Sequence, residues 1–122
     1  PDNAAEDSVS FLPALKGKEF KRGAIINHSF NGSFAIRSGK WKLAFCPGSG
    51  GWSAHKNKKA KGLSALQLFN LEDDPKEKKN LIQQKPEIVK ELTRQLHRMI
   101  SKGRTTPGTN QKNVGKTWRP KL

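Results

Sequence analysis

The groups able to do chemistry in this chain are few: one cysteine, Cys46, and three histidines, His28, His55 and His97. A thiol becomes a nucleophile when a paired base or a helix N-terminus lowers its pKa. The sequence puts neither beside Cys46, which reads as a half-buried residue at the end of a strand. The histidines share no spacing typical of a metal site, and His97 falls within a long helical pattern, so no metal ligand is assigned. His28, at a strand end next to Ser29 and an Asn-Gly turn, is the best placed of the three to enter a site. After Cys46, the run Pro47-Gly48-Ser49-Gly50-Gly51 either presents backbone N–H groups to a sulfate or phosphate or is a flexible strand-to-loop turn. It does not match the G-x-x-x-x-G-K-[ST] phosphate loop. Trp52, between glycine and serine, either docks on a neighbouring surface or stacks on a ligand ring. Lys56, Lys58, Lys59 and Lys61, close to His55, either grip a polyanion or are simply solvated. No residue is assigned a catalytic role.

These residues must be positioned by elements whose signals run along the chain. Asp7 or Ser8 can cap a short helix carrying Val9, Phe11, Leu12 and Leu15, limited by Pro13 and closed by Gly17. Ala24-Ile25-Ile26 favours a strand, Asn31-Gly32 suits a tight turn, and Ser33 to Arg37 would be the returning strand. After a turn at Ser38-Gly39, Trp41, Leu43 and Phe45 alternate with smaller or charged residues, the pattern of a half-buried strand. A long surface loop to Gly62 follows, and then Leu66 to Leu71 supplies one more strand. Asp74-Pro75-Lys76-Glu77 has the residues of a capped helical turn. From Pro86 a longer helix is expected, with Ile88, Val89, Leu92, Leu96, Met99 and Ile100 on one face, acids near its start, bases near its end and Gly103 as its cap. Residues 104–122 have no period and read as an extended or disordered basic tail beyond a domain of residues 1–103. The expected fold is α+β: a small antiparallel sheet of about four strands packed against one long C-terminal helix.

The chain has 122 residues and is 33% hydrophobic, which allows one modest core with little apolar material for independent stability. Its net charge is +14, and no Asp or Glu lies between Phe20 and Leu71 or after Glu91. Such a field attracts nucleic acid, acidic polysaccharide, anionic lipid or an acidic protein face without choosing among them. No recognised nucleic-acid motif or RNP-type aromatic pattern is present, so nucleic acid is not the favoured partner. A single cysteine excludes an internal disulfide, and no apolar run is long enough for a membrane span. The opening Pro1-Asp2-Asn3 has neither an initiator Met nor the pattern of a signal peptide, as expected of a piece cut from something longer.

Gly32-Ser33-Phe34-Ala35-Ile36-Arg37-Ser38-Gly39-Lys40-Trp41-Lys42-Leu43 resembles the "G-x-F-A-I-R-x-G-x-W-K-L" hairpin of the C-terminal region of arylsulfatases, the formylglycine-dependent type I sulfatases. Further pieces follow in that family's order. Cys46 to Ser53 resembles the loop after the hairpin. Leu68-Phe69-Asn70-Leu71 with Asp74-Pro75, Glu77 and Asn80-Leu81 is similar to "L-Y-(N/D)-L-x-x-D-P-x-E-x-x-N-L". Gly103 to Gly108 resembles a "G-R-(S/T)-T-P-G" ending, and Asp7-Ser8 through Leu15 resembles the stretch before the hairpin.

The resemblance implies a four-stranded antiparallel sheet packed on a helix, as in the family's C-terminal subdomain, and a parent enzyme that hydrolyses sulfate esters. It also implies what is missing. The formylglycine comes from the Cys or Ser of a "C/S-x-P-S-x-R" motif, and Cys46, followed by Pro47-Gly48-Ser49-Gly50, does not match it. Formylglycine and calcium are therefore implied in a separate N-terminal catalytic domain, and this chain by itself is expected to be inactive. The subdomain borders the active-site mouth in the family, a role that here would fall to Ser49, Trp52, His28 and His55 as substrate-binding residues. The implied partners are the catalytic domain and, through it, a sulfated ester; the implied location of the parent is periplasmic or secreted. The alternative to this reading is a freestanding basic module that binds nucleic acid or sulfated glycan through its charge.

Overall fold

The computed structural model describes residues 4–50 and 62–118. Their elements are α1 (Leu12–Leu15), β1 (Ile25–His28), β2 (Phe34–Ser38), β3 (Trp41–Ala44), β4 (Gln67–Asn70) and α2 (Pro86–Lys102). The four strands form one antiparallel sheet in the order β1-β2-β3-β4, each strand beside its neighbour in sequence. The α+β arrangement expected from the sequence is the one observed, with α2 laid across β2 and β3.

Register explains why the sheet has two unlike faces. Ile26 pairs with Ile36, Ile36 with Leu43, and Leu43 with Leu68, so one row of four aliphatic side chains crosses the sheet. Side chains in a strand alternate between faces, so the adjoining rows point the other way. Those rows are Asn27, Ala35, Ala44 and Gln67 on one side, and Ile25, Arg37, Lys42 and Phe69 on the other. The aliphatic row meets Leu92 and Leu96 of α2, and Ile36, Leu43, Leu68 and Leu96 are 0% exposed. Burying each such side chain is worth about 1.5–3 kcal/mol.

The long helix begins and ends where its sequence signals place it. Pro86 occupies the first turn, where its missing N–H costs no hydrogen bond, and Glu87 lies beside the positive end of the helix dipole. Gly103 ends it in the left-handed region at φ +64°, which a side chain would disfavour.

Two local expectations are corrected. Asp7 and Ser8 do not cap the first helix, which is a single turn preceded by Phe11 with no side-chain cap. Asp7 instead accepts a hydrogen bond from the Thr105 backbone N–H at 2.9 Å, because a donor from the C-terminal segment lies within its reach. Residues 74–77 form a turn and not a helical one. Glu77 takes a positive φ of +53°, which breaks the helical path, and its carboxylate reaches Lys42 at 2.6 Å. Asp74 does cap this turn, accepting from the Lys79 N–H at 2.8 Å. Those backbone donors, Lys79 first and Lys78 second, hold its carboxyl below the usual aspartate range.

The segment after Gly103 contains no helix or strand among its described residues, yet it packs back on the fold. The Gln111 N–H donates to the Lys102 carbonyl at 2.8 Å, an acceptor that the end of α2 leaves open, and the Asn113 amide adds a second donor, at 2.7 Å, to the Ile100 carbonyl that already accepts from Gly103. This crossing is close: a Cβ on Gly103 would stand 2.5 Å from the Gln111 carbonyl oxygen. Arg104 is buried and donates to the Thr109 carbonyl at 2.9 Å. Trp118 then packs at a tilt against Phe34, with ring centroids 4.6 Å apart, and meets Phe45 edge-on at 5.6 Å.

Candidate functional site

On the sheet face away from α2 lies a concavity of about 520 Å³. Its floor is Ala35, Ala44 and Phe69, and its rim includes Asn27, His28, Ser29, Ser33, Ser49 and Gln67, with the Lys42–Glu77 pair at one side. Two of the four substrate-binding residues expected from the sequence, His28 at the end of β1 and Ser49 in the loop after β3, thus line the same concavity. Trp52 and His55, with the lysines that follow, lie outside the described residues.

Strand alternation builds the floor. Ala35 and Ala44 are directly paired and small, so the sheet is shallowest there, while Phe69 supplies an apolar wall beside Lys42. The rim is held by turn chemistry. Between β1 and β2, the Ser29 N–H donates to the Ser33 carbonyl at 2.9 Å and the Gly32 N–H to the Ser29 carbonyl at 2.9 Å. Gly32 adopts φ +77°, and the Asn31 side-chain oxygen accepts from the hydroxyls of both Ser29 and Ser33. His28 follows the strand into this turn; its Nδ1 lies 3.3 Å from the Ser29 carbonyl and its ring tilts 5.9 Å from that of Phe34. The side chain is exposed, available to a group arriving from outside.

The start of the glycine-rich loop is fixed firmly. The Gln67 side-chain amide donates to the carbonyls of Cys46 at 2.8 Å and Gly48 at 2.7 Å. Gly48 and Gly50 have φ +67° and +64°, and a Cβ on Gly50 would stand 2.7 Å from the Cys46 sulfur. Glycine is therefore required there by conformation and by space. Among residues 46–50, the turn behaves as an anchored corner that sets where Ser49 stands.

Cys46 is buried under this corner, two residues past the end of β3, deeper than the half-buried strand end expected from the sequence. Burial pushes its thiol above the ordinary value, outweighing a hydrogen bond with Ser33 and the positive charge of Lys42, which both pull it down. A thiol so placed is a poor nucleophile. Neither formylglycine nor calcium is matched by the residues present: Cys46 lacks the modification motif, and among the described residues no group of three His, Cys, Asp or Glu could hold a metal ion. The donors that do face the concavity are hydroxyls, amides and a paired ammonium, groups able to bind and orient a polar ligand, while the His28 ring at its edge leans toward Phe34.

Two features of the site escape a sequence reading. Gln67 reads as the polar member of an alternating strand, and nothing local reveals that its amide reaches back about twenty residues to the loop. The Lys42–Glu77 pair joins residues 35 apart, with both side chains about one third exposed. The residue types and the outward position of Lys42 are readable; the partners are not.

A four-stranded meander backed by one long helix, with a glycine-cornered loop after the third strand, makes this chain a homologue of the C-terminal part of the sulfatases. The N-acetylgalactosamine-6-O-sulfatase of Bacteroides thetaiotaomicron is 36% identical to it over 95 residues, which are 76% of this chain and 18% of that protein. A solved sulfatase structure from that organism, from a core genetic locus for metabolism of multiple glycosaminoglycans, superposes with a TM-score of 0.62 at 31% identity. That match covers 81% of this chain and 21% of the solved one. The chain thus spans about a fifth of the length of these relatives. No protein-family model matches it. Among the described residues, no helix is long and apolar enough to cross a membrane.

Proposed function

We propose that this chain is the C-terminal subdomain of an arylsulfatase-like enzyme that hydrolyses sulfate esters, and that it completes the fold and the substrate entrance of that enzyme. The observation that carries this reading is the asymmetry of coverage: three quarters of the chain matches less than a fifth of the relative. Exposed apolar residues support it. Phe11, Leu12 and Leu15 of the N-terminal segment are 62%, 52% and 71% exposed, a surface suited to burial against a larger partner. In this proposal the formylglycine nucleophile and calcium belong to the catalytic domain, and the enzyme is periplasmic or secreted.

The role of the chain is to bind and orient. His28 and Ser49, together with Trp52 and His55 of the loop that follows, would contact the sulfated ligand from the side of the subdomain. The positive surface would draw a polyanionic substrate toward the entrance. The name of the Bacteroides relative makes a 6-O-sulfated N-acetylgalactosamine ester the first substrate to assay. In the complete enzyme, H28A and W52A are each expected to lower kcat/KM toward the preferred ester at least about tenfold, equivalent to about 1.4 kcal/mol of transition-state binding. Unchanged kcat/KM in both variants would remove the entrance role. The 122-residue chain alone should show no hydrolysis.

A further inference from the structure

The concavity occupies one face of the sheet, and α2 covers the other. The outer surface of that helix carries a different set of groups. Its Lys and Arg residues, Lys90, Arg94, Arg98 and Lys102, recur every four positions and are all exposed. At 1.5 Å per residue they rise about 6 Å from one to the next, so four positive charges run about 18 Å along the side turned away from Leu92 and Leu96. The helix dipole favours a base in the last turn, which accounts for Lys102, but it disfavours one in the second turn, where Lys90 stands.

Acids do not cancel this stripe. Glu87 and Glu91, the two acids of α2, fall in its first two turns. Glu91 pairs with Arg94 at 2.5 Å, but both side chains are about half exposed, so the pair is easily exchanged for another anion. Among the described residues, no carboxylate pairs with Lys90, Arg98 or Lys102. The segment after the helix adds charge at the same end. Gln111 and Asn113 bond to the carbonyls of Lys102 and Ile100, and the exposed Lys112 lies between them.

Beside the stripe, α2 and that segment enclose a cleft of about 400 Å³ lined by His97, Ser101, Asn113, Thr117 and Trp118. An indole with hydroxyl, amide and imidazole groups around it suits a hydroxyl-rich sugar ring, and the neighbouring cations suit sulfate groups carried by that sugar. Other anionic partners fit less well. The apolar face of α2 is buried on the sheet, so it has none to insert into a membrane surface. Single-stranded nucleic acid stacks its bases on successive rings, whereas Trp118 is the one large ring of the cleft and is already packed on Phe34 and Phe45.

We propose that α2 and the segment after it form a second binding surface, apart from the concavity, for a sulfated polysaccharide: one sugar in the cleft and the sulfates of its neighbours along Lys90, Arg94, Arg98 and Lys102. This rests on the reading of the chain as part of a sulfatase. A polymer held on the helix side keeps its ester groups at high local concentration near the entrance, an advantage that a monosaccharide ester does not share.

The test is binding of chondroitin sulfate to the complete sulfatase polypeptide, read beside hydrolysis of 6-O-sulfated N-acetylgalactosamine. R98Q and K102Q together should weaken chondroitin sulfate binding about tenfold or more at about 0.1 M salt and leave kcat/KM toward the monosaccharide unchanged. H97A with S101A, which removes no Lys or Arg, should weaken the same binding about threefold or more and leave binding of duplex DNA as it was. If neither pair of substitutions weakens binding in an enzyme that still hydrolyses the monosaccharide, the second surface is overturned and the sulfatase reading stands. Duplex DNA that binds as tightly as chondroitin sulfate, with the same loss in R98Q and K102Q, overturns it in favour of a surface that reads charge alone. A matching fall in kcat/KM toward the monosaccharide also overturns it, by placing these residues in the entrance itself. If the unsubstituted polypeptide hydrolyses no sulfate ester, the sulfatase reading falls and the second surface falls with it.

Discussion

The two faces of the sheet are one residue apart in the chain and opposite in purpose. The row Ile26, Ile36, Leu43 and Leu68 is aliphatic from edge to edge and sealed by α2, whereas the next row, Asn27, Ala35, Ala44 and Gln67, is small or polar and floors a concavity. Dehydration of the first row supplies stability without direction. The second row contributes shape, and Gln67 contributes the hydrogen bonds that fix the loop carrying Ser49. Strand alternation thus lets four short strands provide a core and a site at once, with little interference between them.

Substitutions on the two faces should therefore separate, and the largest effect belongs to the aliphatic row. L43A removes a side chain buried between both neighbours and the helix, and should cost about 2–5 kcal/mol in denaturant midpoint measurements. If it cost no more than a surface substitution, the helix-side face would not be the core. A middle effect is expected at Gln67. Q67A removes the amide that two carbonyls at the loop corner accept from and should cost about 1–3 kcal/mol, with faster amide exchange over residues 46–50 as the signature of a released corner. Equal stability loss without loop release would mean that Gln67 acts by packing alone. The smallest effect belongs to Lys42 and Glu77. A double-mutant cycle with K42A and E77A should give a coupling of at most about 1 kcal/mol, declining with salt, because both side chains are partly exposed. A larger, salt-insensitive coupling would mark the open face as a second core.

Much of the fold is legible in the residues alone. The strands carry period-two patterns, Asn31-Gly32 and Gly39 mark turns, and α2 has a six-residue apolar face with Pro86 and Gly103 at its ends. Local signals mislead at Asp74 to Glu77, where capping residues meet a left-handed Glu77, and at Asp7, whose carboxylate serves a distant Thr105 in place of its own helix. In both places a local propensity worth about 1 kcal/mol loses to a contact between segments far apart in sequence. His28 and Ser49 stand out in the sequence as separate candidates; that they share one concavity follows from the hairpin and the Gln67 anchor.

The sequence by itself determined which residues alternate, where the helix starts and stops, and that Cys46 lacks the motif of a sulfatase nucleophile. Those properties are local, set by side-chain period, backbone preference and residue identity. Only the tertiary structure decided that Trp118 packs on Phe34 and Phe45, that Arg104 is buried, that Gln67 pins the loop corner and that residues 74–81 cover the β4 edge of the sheet. Each depends on which distant segment fills a given space or hydrogen bond, and a one-dimensional pattern of residue types does not carry that choice.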